Sequence, residues 1–263
     1  MLRCFEDGNV THVEGSIDPI RDAETVETEL MLADLDSLEK RRAAAEKKAK
    51  GADKEAKAQL AVIEPILEAL KAGKPARSVA LPREAQPILK DLQLLTAKPV
   101  LFVCNVEEAA ASKGNAFAAR VADYAKQQGA QCVVISAAIE SEVAQLASEA
   151  ERREFLATLG LQETGLARII RAGYRLLDLV TFFTVGPKEA HAWTVRQGAK
   201  APQAAGVIHS DFEKGFIRAE VISYADYVHA GGEAQAKEAG KMRLEGADYT
   251  VQDGDILHVR FNL

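Results

Sequence analysis

Two short, almost unbroken apolar runs constrain this fold more than any other feature: residues 99–104, "PVLFVC", and residues 131–136, "QCVVIS". Between them, "SKGNAFAARVADYAKQQGA" (112–130) places Phe117, Val121 and Tyr124 on one helical face, with Gly129 after its end. Strands that are apolar throughout, joined by a helix, predict a parallel sheet covered on both faces. In such sheets ligands sit beyond the carboxyl ends of the strands. Asn105 and Ser136 stand at those two ends.

The rest of the chain is long enough for a second core. At 263 residues and 48% apolar content, two domains fit better than one. A charged fraction of 27% and apolar runs as short as "VLFVC" argue against a membrane protein. "MLRCFEDGN" has no apolar signal-peptide region. The net charge of −6 argues against strong nucleic-acid binding over the whole surface and leaves room for local basic patches. Cys4, Cys104 and Cys132 are odd in number and widely spaced, each beside apolar residues. They read as core thiols of a cytoplasmic protein rather than disulfides or metal ligands.

Residues 22–72 are rich in Ala, Glu, Lys and Leu, the composition of long helices. Val26, Leu30, Ala33 and Leu38 fall at helical spacings, and Leu60, Ile63, Leu67 and Leu70 repeat 3-4-3, a coiled-coil seam. With Asp22 as N-cap and Gly51 near the reversal, an antiparallel hairpin is expected, its arms roughly 30 to 45 Å long. Pro65 should kink or restart the second arm. Residues 40–57 hold eight Lys or Arg against three acids. Among them Lys40, Arg41, Arg42, Lys47, Lys48 and Lys50 are candidate contacts for RNA phosphates, and a solvated helix face is the plainer explanation. From residue 181 the pattern turns to short strands with Gly and Asp turns and one helical patch near 224–240. That suits a small α+β domain of β-grasp type ending in "ILHVRF".

The first strand end reads "NVEE". GTP-binding proteins use Asn-Lys-x-Asp here, the Asp taking guanine's ring N–H and amine together. This chain keeps Asn105, puts Val106 in the Lys place and Glu108 in the Asp place. The longer Glu should fit guanine poorly, and Asn can serve adenine through N6 and N7, so adenine is expected to be tolerated or preferred. The second end, "SAAIESE", offers Ser136, Ala137 and Ala138 as a small-residue turn whose N–H groups reach a base, or simply as a turn before a helix. No Gly-x-x-x-x-Gly-Lys-[Ser/Thr] occurs in the 263 residues; "KAGKPARS" only looks like one. The five histidines show no metal-ligand spacing, so no metal site is expected. "HSDF" does not make a triad. His12 is a candidate to assist water attack, or a structural loop residue.

Together, "RCFEDGNVTHVEGSIDP", "ETELMLADLDSLEKR", "CNVEE", "SAAIESEVAQL", "KEAHAWTVRQGAKAPQAAGVIHSDFEKGFIRAEVI" and "EGADYTVQDGDILHVRFN" resemble the Obg-like ATPase (YchF) family of P-loop GTPase-class proteins. The resemblance covers essentially the whole chain. It implies part of a G domain with a parallel sheet (1–21 and 93–180), an inserted helical hairpin (22–92) and a C-terminal TGS domain of β-grasp fold (181–263). It further implies that Asn105, Val106 and Glu108, with Ser136, Ala137 and Ala138, surround a nucleotide base, and that His12 orients water. Family members carry the phosphate loop and the ligands for Mg2+ before "RCFED", so this chain by itself is expected to bind nucleotide weakly and not to turn it over. The implied function is ATP hydrolysis, with GTP less favoured, by a monomeric protein associated with the ribosome or RNA. Residues 181–263 hold nine basic against eleven acidic residues, so RNA contact there would need a local patch. The alternatives are a non-enzymatic RNA- or ribosome-binding module built from the hairpin and TGS, and a coiled-coil adaptor.

Overall fold

The computed structural model describes residues 1–7, 15–51 and 53–262, which form two compact units, 1–172 and 173–263. His12 lies outside the described residues.

The first unit carries β1 (Leu2–Arg3), α1 (Pro19–Ala49), α2 (Lys54–Lys71), α3 (Gln86–Leu92), β2 (Leu101–Asn105), α4 (Ala116–Gln127), β3 (Gln131–Ile135), α5 (Ala137–Gln145), α6 (Glu149–Thr158) and the start of α7 (Gly165–Leu176). Its sheet runs β1-β2-β3, all parallel, with Leu2 opposite Cys104 and Asn105 opposite Ile135. The two apolar runs are thus adjacent strands, and α4 is the crossover between them. Cys4, Cys104, Val106, Ala118 and Val121 form the core beneath, with Phe102 and Tyr124 edge to face at 5.7 Å.

The helix α1 spans 31 residues, about 46 Å of axial rise, and packs along the 18-residue α2. Its N-cap is Asp18, which accepts the Ile20 N–H, and Pro19 occupies the first turn, where its missing N–H costs nothing. Asp22 therefore lies inside the helix, in its first turn, and is not the cap. The buried stripe also differs from the one that hydrophobicity suggests. Val26 is 59% exposed, Leu30 and Ala33 also face outward, and the buried positions are Pro19, Ala23, Asp34, Leu38 and Ala45.

Asp34 explains this. One carboxylate oxygen accepts the Leu95 N–H at 2.8 Å; the other accepts the Thr96 N–H at 2.8 Å and the Thr96 hydroxyl at 2.6 Å. Thr96 Oγ1 in turn accepts the Ala76 N–H. A buried acid with its lone pairs filled in this way is tolerated, and it draws the polar side of α1 inward. Arg77 adds an ion pair to Glu27 on the same helix. On α2, Ile63, Leu67 and Leu70 are buried as the 3-4-3 spacing requires, joined by Val62 and Ile66. The helix is continuous through Pro65, whose ring leaves one carbonyl of the preceding turn without its donor.

Two separate helices, α5 and α6, follow Ser136. Ser148 begins α6 with a capping box: its hydroxyl accepts the Glu151 N–H and the Glu151 carboxylate accepts the Ser148 N–H.

The second unit is a five-stranded mixed sheet, ordered β5-β4-β8-β6-β7, from β4 (Leu179–Val185), β5 (Ala190–Arg196), β6 (Phe216–Ser223), β7 (Arg243–Glu245) and β8 (Asp255–Phe261). β4 and β8 are parallel; the other neighbours are antiparallel. Four short helices accompany it: α8 (Ala201–Ile208), α9 (Ser210–Lys214), α10 (Tyr224–Ala230) and α11 (Glu233–Glu238). The first pair is a correction, since only the 224–240 patch was expected to be helical. Ala201, Ala204 and Ala205 are buried on α8, and such small side chains let a helix approach a sheet closely over Phe182, Ala219, Val221 and Leu257. His209 caps α9 by accepting the Asp211 N–H at Nδ1, so "HSDF" is a helix start. Among the described residues no helix is long and apolar enough to cross a membrane.

Candidate functional site

β2 and β3 end side by side, and the turns that leave them are joined. Asn105 Oδ1 accepts the Ala137 N–H at 2.8 Å, and the Val106 N–H donates to the Ile135 carbonyl at 2.9 Å. The parallel ladder is thereby continued for one residue beyond the strands, and the first turn of α5 is held against the end of β2. Ala137 and Ala138 are exposed there. Their methyl side chains leave room for a flat ligand to approach, and the first N–H groups of a helix carry partial positive charge.

The Asn105 amide has its oxygen engaged and its Nδ2 donating to nothing among the described residues. A free N–H fits the N7 acceptor that adenine and guanine share, so this residue alone selects a purine rather than one purine over the other. Ser136 is only 2% exposed, and its hydroxyl has no hydrogen-bond partner among the described residues. Glu108 opens a single 3-10 turn, is exposed, and carries no partner among the described residues. An unpaired carboxylate of this kind can accept the N–H groups of a base.

Val106 is placed differently from its expected role. It is 2% exposed and packs with Leu2, Cys4 and Cys104, so its side chain belongs to the core and cannot lie on a base plane as a Lys stem would.

Three further residues, Asn115, Glu140 and Gly165, support the strand ends. Asn115 caps α4 by accepting the Ala118 N–H, and its Nδ2 donates to the Cys4 carbonyl at 2.6 Å and to Glu107 at 2.9 Å. Glu140, on α5, accepts the Gly165 N–H at 2.6 Å and the Leu166 N–H at 3.1 Å, so it caps α7. Gly165 is required by space: a Cβ there would lie 2.8 Å from Ile135 Cγ2, at the end of β3. The sequence does show Gly114-Asn115 before a helix, which is the signature of an N-cap. Glu140 and Gly165 pair over 25 residues, beyond any local pattern.

Of the basic residues on α1, Lys40 pairs with Asp36 at 2.6 Å and Arg42 with both Glu46 and Glu64 at 3.0 Å. Arg41 donates to the Asp91 carbonyl. Lys47, Lys48 and Lys50 have no ion-pair partner among the described residues. On the α1 side the hairpin tip thus keeps unpaired positive charge at these three.

The strand-end groups suit a base and not a phosphate with magnesium. Glu108 is the one carboxylate among the six positions, and the described His, Cys, Asp and Glu side chains close enough to share an ion are in the second unit.

A family profile named YchF-GTPase_C, described as "Protein of unknown function (DUF933)", matches residues 179–262. The chain is 50% identical over 265 residues to the ribosome-binding ATPase YchF of Bacillus subtilis (strain 168), covering all of this chain and 72% of that protein. To the protein of the same name from Haemophilus influenzae it is 53% identical over 263 residues, again with 72% of the relative covered. The structure of the Schizosaccharomyces pombe YchF GTPase superposes with a TM-score of 0.82 at 34% identity, over 98% of this chain and 70% of that one. With identity at this level along its whole length, and with the parallel and mixed sheets reproduced, the chain belongs to the YchF family.

Proposed function

We propose that the chain works as a ribosome-associated purine-nucleotide-binding protein of the ATPase type, with ATP favoured over GTP. The observation that carries purine recognition is the Asn105–Ala137 hydrogen bond, which brings both strand-end turns together and leaves one amide N–H free for a purine N7; the preference for ATP rests on Glu108, whose longer side chain fits guanine poorly. Relatives named ribosome-binding ATPase cover the whole chain. In this reading residues 1–21 and 93–180 are G-domain sheet, α1 and α2 are the inserted hairpin, and the mixed sheet is a TGS domain. The protein acts in the cytoplasm, and Lys47, Lys48 and Lys50 face ribosomal RNA phosphates.

The part played by these residues is recognition of the base. Asn105 donates to N7, Glu108 accepts from the base edge, and the N–H of Ala138, next after the Ala137 N–H that Asn105 already holds, meets a remaining acceptor. Cleaving a γ-phosphate needs a phosphate cradle, which the strand ends do not supply.

Calorimetric titration of ATP, GTP and CTP, each with magnesium, tests the proposal. Purine binding that is weakened in Asn105→Ala supports it. Equal affinity for CTP, or unchanged affinity in Asn105→Ala, sinks it. Co-sedimentation with ribosomes tests the second half.

A further inference from the structure

On the second unit, Glu220 of β6 and His258 of β8 are cross-strand partners, and Glu233 opens α11 above them. A carboxylate oxygen from each Glu and a ring nitrogen of His258 all lie within 4.8 Å of one another. We propose that Glu220, Glu233 and His258 form a binding site for one divalent transition-metal ion of the zinc class.

The chemistry of the set is specific. Two carboxylates neutralise a divalent charge. The imidazole favours zinc and its transition-metal neighbours over magnesium or calcium, which take oxygen ligands. An ion-pair network accounts for only part of the cluster. Arg260 donates to Glu220 Oε2 at 3.1 Å, whereas neither Glu233 nor His258 has a hydrogen-bond or ion-pair partner among the described residues. Hydrogen bonding of Arg260 to Glu220 is what a ligating carboxylate requires of its surroundings, since it fixes the group and leaves the second oxygen for the ion.

Zinc takes nitrogen and oxygen ligands at about 2.0–2.2 Å. Ligand atoms within 4.8 Å of one another come into that range through rotation of side chains, and both Glu233 and His258 are exposed and free to turn. The three ligands leave a fourth position for water. The ion would fasten α11 to β6 and β8. Reading the sequence for close His and Cys spacing misses such a set, because its members are at 220, 233 and 258 and come from three elements.

The test is calorimetric titration of zinc chloride into the whole 263-residue chain, with magnesium chloride as control, alongside thermal melting. We expect one equivalent of zinc, a raised melting temperature, and no effect of magnesium. Glu233→Gln and His258→Gln should each weaken zinc binding by about tenfold or more and leave the metal-free melting temperature unchanged. Absence of zinc binding overturns the site, and so does binding that both variants retain, because the ion is then held elsewhere. Should a variant melt early without metal, the ring resonances of His258 in the unaltered chain decide: a shift on adding zinc supports the site, and unmoved resonances overturn it.

Discussion

The side-chain oxygen of Asn105 holds the backbone N–H of Ala137 at 2.8 Å, across 32 residues of sequence. One amide therefore has two separable tasks, anchoring a turn with its oxygen and facing a ligand with its nitrogen. Asn105→Asp keeps the first and removes the second. Asn105→Ala removes both. Both should weaken ATP binding by about tenfold, near 1–2 kcal/mol, and Asn105→Ala should additionally lower thermal stability. Titration and melting of the two variants separate the effects.

Asp34 is 3% exposed and answers three donors from residues 95 and 96. Replacing it by Ala leaves those donors buried and unmet, so a loss of about 2–4 kcal/mol is expected in urea unfolding. Asp34→Asn keeps one acceptor oxygen and should cost less.

Tyr249 donates its hydroxyl to Asp255, itself buried, at 2.7 Å. Burial first, and then this hydrogen bond and the nearby negative charge, push the phenol from its ordinary value near 10 up to about 12. The folded value lies above the unfolded one. The contribution to stability is therefore complete below pH 10 and is lost as pH climbs from there towards 12. Denaturant unfolding at pH 8 to 12 should show this decline, and Tyr249→Phe should lessen it.

Lys47, Lys48 and Lys50 are the unpaired charges at the α1 side of the hairpin tip. Changing all three to Glu should weaken ribosome co-sedimentation by about tenfold or more at low salt, with the difference shrinking as salt rises. The same change at Lys40 and Arg42, which are already ion-paired, should do less.

Cys4 and Cys104 are completely buried, and hydrogen bonds with Cys132 and then Cys4, together with burial, push the Cys104 thiol well up. Only Cys132 reaches the surface in part. A thiol reagent should label at most one cysteine in the folded chain and all three after unfolding.

The parallel sheet was legible because residues 99–104 and 131–136 are apolar without alternation, and only a sheet covered by helices places such runs comfortably. The strand ends were legible for the same reason. The inward face of α1 was not. Hydrophobicity points to Val26 and Leu30, and the buried stripe is organised by Asp34, an acid whose partners lie 61 and 62 residues on. α8 was missed for another reason: its buried positions Ala201, Ala204 and Ala205 make no stripe of large apolar residues, and their smallness is what lets α8 lie close to the sheet. Val106 fitted a motif by position, and only packing shows that its side chain is needed inside.

The Asp34 clamp also ties the hairpin to the segment that leads into the sheet. Thr96, gripped by α1, lies five residues before Leu101, where β2 begins, and β2 ends at Asn105. Asp34 sits near the middle of α1, so about 22 Å of helix extends beyond the clamp to Ala49. A load on the lysine tip is therefore expected to reach Asn105, nine residues along the chain from Thr96.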